Sequence, residues 1–121
     1  MQFTEELEAT AIRTGGEYAW RRADALRAAR ALADSGFATL GGELWLVREG
    51  EVWGLLPQHT GPPALYSWES ERKPSEPWQE FVARASSETL AAIEALPPDG
   101  EVKTPPGAEI YYNLTWISEH E

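Results

Sequence analysis

The amino-acid sequence predicts an α+β fold: a mostly antiparallel sheet of four to five strands, with an amphipathic helix before it and a long helix inserted before the last strand. Three observations carry this prediction. Apolar residues recur at three- and four-residue steps in two separate stretches, residues 21–34 and 77–96, which is the period of one helical face. Short β-prone runs divided by glycine- and proline-rich turns lie between these stretches, and one more run follows the second. Strands gathered ahead of a helix, rather than alternating with helices one by one, favour α+β over a parallel βαβ repeat. At 121 residues the chain fits a single domain over residues 1–121, since domains commonly run to ~100–150 residues.

Taken in order, Thr4 is placed to cap a short helix over 4–12, with Glu5, Glu6 and Glu8 in its first turn where the helix dipole favours acids. Gly15-Gly16 breaks it. From Arg21 to Asp34 the residues Ala25, Leu26, Ala29, Leu32 and Ala33 form the apolar face of a second helix. Arg27, Arg30 and Asp34 take its other face, with Arg30 and Asp34 spaced to pair, and Gly36 supplies a left-handed stop. The β pattern then begins: Phe37–Leu40, the pair Gly41-Gly42, Glu43–Arg48, a turn at Glu49-Gly50-Glu51, and Val52–Leu56, so 43–56 reads as a hairpin. Residues 58–63 read as a loop and Ala64–Glu69 as a further strand. Pro74, Ser75 and Pro77 signal the start of a helix over about 77–96, whose stripe is Trp78, Phe81, Val82, Ala85, Ala92, Ile93 and Leu96 and which Pro97-Pro98 ends. A turn-rich loop, 99–107, leads to a last strand over 110–117.

Composition narrows the function. Twenty Asp and Glu against ten Lys and Arg give a net charge of −10, and a surface of that sign repels phosphate backbones, so direct nucleic-acid binding is not expected. The balance is −3 over residues 1–60 (nine acids, six bases) and −7 over 61–121 (eleven acids, four bases). Arg13, Arg21, Arg22, Arg27 and Arg30 concentrate positive charge in one stretch, and neighbouring carboxylates are expected to balance it. With no cysteine there is no disulfide, thiolate nucleophile or cysteine-held metal. The start of the chain lacks the basic and apolar segments of a secretory signal, and no apolar run exceeds four residues, so a cytoplasmic protein with no membrane span is expected.

Chemical motifs are sparse. His59 and His120 have no companion at metal-ligand spacing, so neither metal nor cofactor is expected. No strand-to-helix Gly-x-Ser-x-Gly turn is present. Gly41-Gly42 lacks the helix start and Lys-Ser/Thr of a phosphate loop and reads as a β-bulge or tight bend. Six tryptophans are spread over the predicted elements. If Leu44 and Leu46 face the core, alternation turns Trp45 to the other side of the strand, and Trp45 and Trp68 become candidate exposed anchors for a protein partner.

The ordered set of Trp20-Arg21-Arg22-Ala23-Asp24-Ala25-Leu26, Leu32, and Gly36-Phe37-Ala38-Thr39-Leu40-Gly41-Gly42-Glu43-Leu44-Trp45 resembles the immunity protein 40 family of bacterial polymorphic toxin systems. The family pattern continues through a tryptophan-containing strand, here Tyr66-Ser67-Trp68, a helix with an internal serine, here Phe81, Ser86 and Ile93, and a closing strand, here Ile110 to Trp116. Glu43 and Trp45 stand where the family has Asp and Tyr, and Tyr66-Ser67 where it tends to have Asp-Asn. The resemblance spans about residues 15–117 and implies a non-enzymatic antitoxin that binds a cognate toxin domain and blocks it. Basic nucleases are among the toxins that such an acidic surface would suit. The expected contact residues are Glu43, Trp45, Glu49, Glu51, Trp68, Glu69 and Glu71. The rival reading is a small-molecule-binding or enzymatic domain with a pocket near Gly41, Gly42, Glu43 and His59, with Glu69 as a second carboxylate.

Overall fold

A computed structural model describes residues 1–55, 66–97, 104 and 106–120. The loop expected over 58–63, with His59, and most of the loop over 99–107 lie outside the described residues. The elements run α1 (Glu5–Thr10), β1 (Ile12–Thr14), β2 (Glu17–Trp20), α2 (Arg22–Asp34), β3 (Ala38–Arg48), β4 (Glu51–Leu55), β5 (Ser67–Glu69), α3 (Trp78–Ala95) and β6 (Ala108–Ile117). They form the expected α+β arrangement. The sheet order is β1-β2-β6-β3-β4 with β5 also on β3, and the strand pairings are antiparallel. The last strand, β6, lies at the centre of the sheet between β2 and β3.

The sheet has six strands because Gly15-Gly16 turns a hairpin as well as ending a helix. Gly15 and Gly16 both have positive φ, +58° and +82°, and Thr14 pairs with Glu17 around them, as in a two-residue turn that matches strand twist. The β3–β4 hairpin closes in the same way on Glu49 (φ +52°) and Gly50 (φ +79°), so Glu51 opens β4 opposite Arg48 instead of belonging to the turn. Phe37–Leu40 and Glu43–Arg48, expected as two runs, form the single eleven-residue strand β3 from Ala38. Its register against β6 shifts between Thr39 and Gly41, which places the anticipated bulge at the glycine pair.

Local chemistry sets the helix ends. The Leu7 amide donates to Thr4 Oγ1 at 3.3 Å, as a capping threonine requires. Beyond α2, Gly36 (φ +82°) lets its own amide and that of Phe37 reach the carbonyls of Ala33 and Leu32, at 3.0 and 2.9 Å. The last turn of α3 has no basic residue, and Arg22 serves it from α2: its guanidinium donates to the Ile93 and Leu96 carbonyls at 3.1 and 3.0 Å and to the Tyr112 hydroxyl at 2.7 Å. Burial pushes the Tyr112 hydroxyl above its ordinary pKa, against the pull of Arg22. Arg30 and Asp34 form no ion pair despite their spacing.

Helices α2 and α3 cover one face of the sheet. Ala25, Ala28 and Ala29 are fully buried, and these small side chains let α2 approach α3 and the sheet closely. The core between the layers is built on Trp20, Leu32, Leu44, Ile93, Tyr112 and Leu114. Phe3 reinforces it by packing edge-on against Trp20 and Trp116, with ring centroids 5.1 and 5.4 Å apart, while the Trp20 indole donates to the Leu7 carbonyl at 2.8 Å. A second cluster joins Ala38 on β3 to Phe81, Val82 and Ala85 on α3. On the opposite face the sheet curls until β1 and β4 touch, enclosing Ala19, Trp45 and Val47 with Ile12, Val52 and Tyr111 around them.

Candidate partner-binding surface

The curl determines the fate of Trp45. Alternation does set it on the face opposite Leu44, yet it is only 3% exposed, because the curled edges wrap Ile12 and Val52 over that face. The expectation of an exposed Trp45 is therefore corrected. Its indole donates to Glu43 Oε1 at 3.2 Å, which holds that half-buried carboxylate against the strand.

Trp68 is half-buried, and its indole donates to the fully buried Thr89 hydroxyl of α3 at 3.2 Å. It pairs with Gly42, where a Cβ would stand 2.7 Å from the indole ring and 1.8 Å from the Asn113 carbonyl oxygen. A Cβ on Gly41 would stand 2.2 Å from the Trp68 carbonyl oxygen. The glycine pair is thus the floor on which β5 and Trp68 are seated. Trp68 is committed to the sheet–helix contact rather than offered as a free anchor. Among the described residues, the space beside both glycines is filled by neighbouring backbone, and His59 is outside the described residues.

The expected acidic residues fall into two patches. Glu69 and Glu43 share one face across the β3–β5 pairing, where Gly41 opposes Glu69 and Glu43 opposes Ser67, and Glu71 follows two residues after Glu69. Glu49 and Glu51 lie at the hairpin tip, six residues along β3 from Glu43, which is ~20 Å of extended strand. Glu49, Glu51, Glu69 and Glu71 are exposed and make no ion pair with a described residue.

A strap over residues 70–77 holds the first patch in place. The Ser70 amide donates to the Leu40 carbonyl and its hydroxyl to Glu88 Oε1, both at 2.8 Å. Arg84 on α3 donates to both oxygens of Glu76 at 3.0 and 2.8 Å, to Glu88 at 2.9 Å, and to the Glu71 carbonyl. The Arg84 guanidinium and the Lys73 amide draw the Glu76 pKa down to about 2. Arg72 lies 5.4 Å above the Trp78 ring, and the Trp78 indole donates to the Gly36 carbonyl at 3.0 Å.

Trp78 reads in the sequence as part of the buried stripe of the long helix. At the first position of α3 it packs against that stripe beside Phe81 but is only half-buried, and it also lines open depressions. One of about 620 Å³ lies between the strap, α3 and the end of β6, floored by Leu40, Trp78, Phe81 and Ile117 and rimmed by Glu69, Glu71, Arg72 and Glu119. A neighbour of about 550 Å³ is lined by Phe37, Trp78, Glu119 and His120 among others. The signal that could have revealed this place is Trp78 immediately after Pro77, at a helix end where a large side chain has no preceding turn to cover it.

Open aromatic-floored depressions, exposed carboxylates without an ion pair to any described residue, and arginines engaged within the fold characterise this acidic α+β protein. The chain belongs to the immunity protein 40 family: the family model described as Immunity protein 40 matches residues 6–115. Compared with curated proteins and with solved structures, the chain finds no significant match in either. Among the described residues no helix is long and apolar enough to cross a membrane.

Proposed function

We propose that this protein is a cytoplasmic antitoxin that neutralises a cognate toxin domain by binding it, without chemistry of its own. The observation that carries the reading is the family match over nearly the whole chain. The exposed carboxylates support it: Glu69 and Glu71, with half-buried Glu43 beside them, make one candidate contact patch and Glu49 with Glu51 another, while Trp45 and Trp68 hold the strands that present them. Carboxylates in two patches suit a basic partner, and a basic nuclease domain is the toxin class that matches this field best.

Co-expression with the toxin domain encoded by the adjacent gene tests the proposal. The expected result is a tight 1:1 complex by size-exclusion chromatography with light scattering, together with rescue of cells from the toxin. If the toxin elutes free and killing is undiminished, the proposal is wrong.

A further inference from the structure

We infer that the depression between the strap, α3 and the end of β6 is the docking site for a basic segment of the partner protein, with a lysine or arginine side chain as its central contact. The inference rests on the binding role proposed above and specifies where and with what chemistry that role is performed.

The floor is apolar: Leu40 from β3, Ile117 from β6 and Trp78 from α3 converge there, all half-buried, so the cavity offers apolar contact area, overlain by Arg72 at the Trp78 ring. Three carboxylates, Glu69, Glu71 and Glu119, stand on its rim, exposed and without an ion pair to any described residue. A lysine or arginine side chain fits both features at once, since its aliphatic stem lies on apolar surface while its charged head stays at a polar edge. Arg72 already shows the aromatic part of the match, with its guanidinium 5.4 Å above the Trp78 ring while its Nε is tied to the Glu76 carbonyl at 2.9 Å. An anionic segment would meet three carboxylates against one arginine, and a neutral apolar segment would leave the rim charges unused. A basic segment is the occupant that uses floor and rim together.

The backbone at two of the three rim carboxylates is held in place, which limits the backbone entropy lost there on binding. Glu69 belongs to β5, seated on the glycine pair, and the Glu71 backbone is fixed by Arg84. Each is positioned by groups other than the partner.

The test uses the full chain and the purified toxin domain of the adjacent gene, with binding followed by surface plasmon resonance. The triple variant Glu69→Gln, Glu71→Gln, Glu119→Gln is compared with a charge-matched control, Glu5→Gln, Glu17→Gln, Glu94→Gln, whose side chains are exposed and line neither of the two depressions beside Trp78. Both variants are expected to keep the wild-type melting temperature, which thermal unfolding checks first. The rim variant is expected to bind about tenfold or more weakly, chiefly through faster dissociation, and the control within about threefold of wild type. Equal weakening in the two variants, or none in the rim variant while wild type binds, overturns the docking site and leaves the antitoxin reading standing. Absence of a complex with wild type overturns the antitoxin reading and this inference with it. Self-association of the wild-type chain that the rim variant abolishes would assign the depression to a second copy and overturn the basic-segment assignment.

Discussion

Two glycines of one hairpin can serve opposite needs, and substitution separates them. Gly42 is required by proximity, because a Cβ would strike the Asn113 carbonyl oxygen at 1.8 Å, and backbone on a central strand cannot retreat cheaply. Gly50 is required by conformation alone: its φ is +79° and a Cβ there would meet nothing within 4 Å. Gly50→Ala is accordingly expected to cost about 1 kcal/mol, the usual strain of a left-handed residue. Gly42→Ala is expected to cost about 3 kcal/mol or more, as overpacking with backbone displacement does, and to loosen Trp68. Chemical denaturation of the two variants checks the order, and equal costs would refute the close-approach explanation. The glycine pair was legible in the sequence as a bend, but its reason was not, because Trp68 and Asn113 are brought to it by pairings twenty-six and seventy-one residues away. Trp45 has the same lesson. Alternation along β3 is local and correct, whereas its burial follows from the contact of β1 with β4, which no local pattern encodes.

At the scale of elements, the strap between β5 and α3 is held by charge more than by apolar contact. Arg84 gathers Glu76, Glu88 and the Glu71 carbonyl, so ionised Glu76 helps to hold the arginine that fixes the segment bearing Glu71. The folded-state pKa of Glu76 is about 2 against an ordinary 4.5, so the unfolded chain binds the extra proton as pH falls. This contribution is complete above about pH 4.5 and is lost as pH drops through about 2. Glu76→Gln should therefore melt at a lower temperature than wild type at pH 7, with the gap closing as the pH is lowered toward 2. Parallel melting curves across that range would show that the pair does not hold the strap. The helices were legible because their signals are local: α2 and α3 match their apolar periodicity, and Gly36 stops α2 as its position suggests. The β1–β2 hairpin was not, since Gly15-Gly16 ends a helix as readily as it turns a hairpin. What selects the hairpin is the pairing of β2 with β6, nearly a hundred residues later, which seats Trp20 beside Tyr112.

Over the whole molecule, the arginines that look in the sequence like a basic face are largely consumed by the fold. Arg13 faces Glu8 at 3.9 Å, Arg21 meets Glu109 at 2.6 Å, and Arg27 meets Glu6 at 2.7 Å and Asp24 at 3.1 Å. Arg22 is turned onto the end of α3. Exposed pairs of this kind add little stability, but they cancel positive charge locally, so the field that an approaching partner feels is set by the unpaired carboxylates of a chain with net charge −10. Such a field acts on encounter before any contact forms, and it is screened when the Debye length falls from ~10 Å at 0.1 M salt to ~3 Å at 1 M. In the proposed complex, contacts such as a basic side chain seated on Trp78 would lie inside that distance and be screened far less. Raising salt from about 0.1 to 1 M should therefore slow association with a basic toxin domain about tenfold or more, with dissociation changing by no more than about threefold. Stopped-flow mixing at several salt concentrations measures the two rates separately. An association rate indifferent to salt would mean that the acidic surface does not guide the partner, and the carboxylates would then need another explanation.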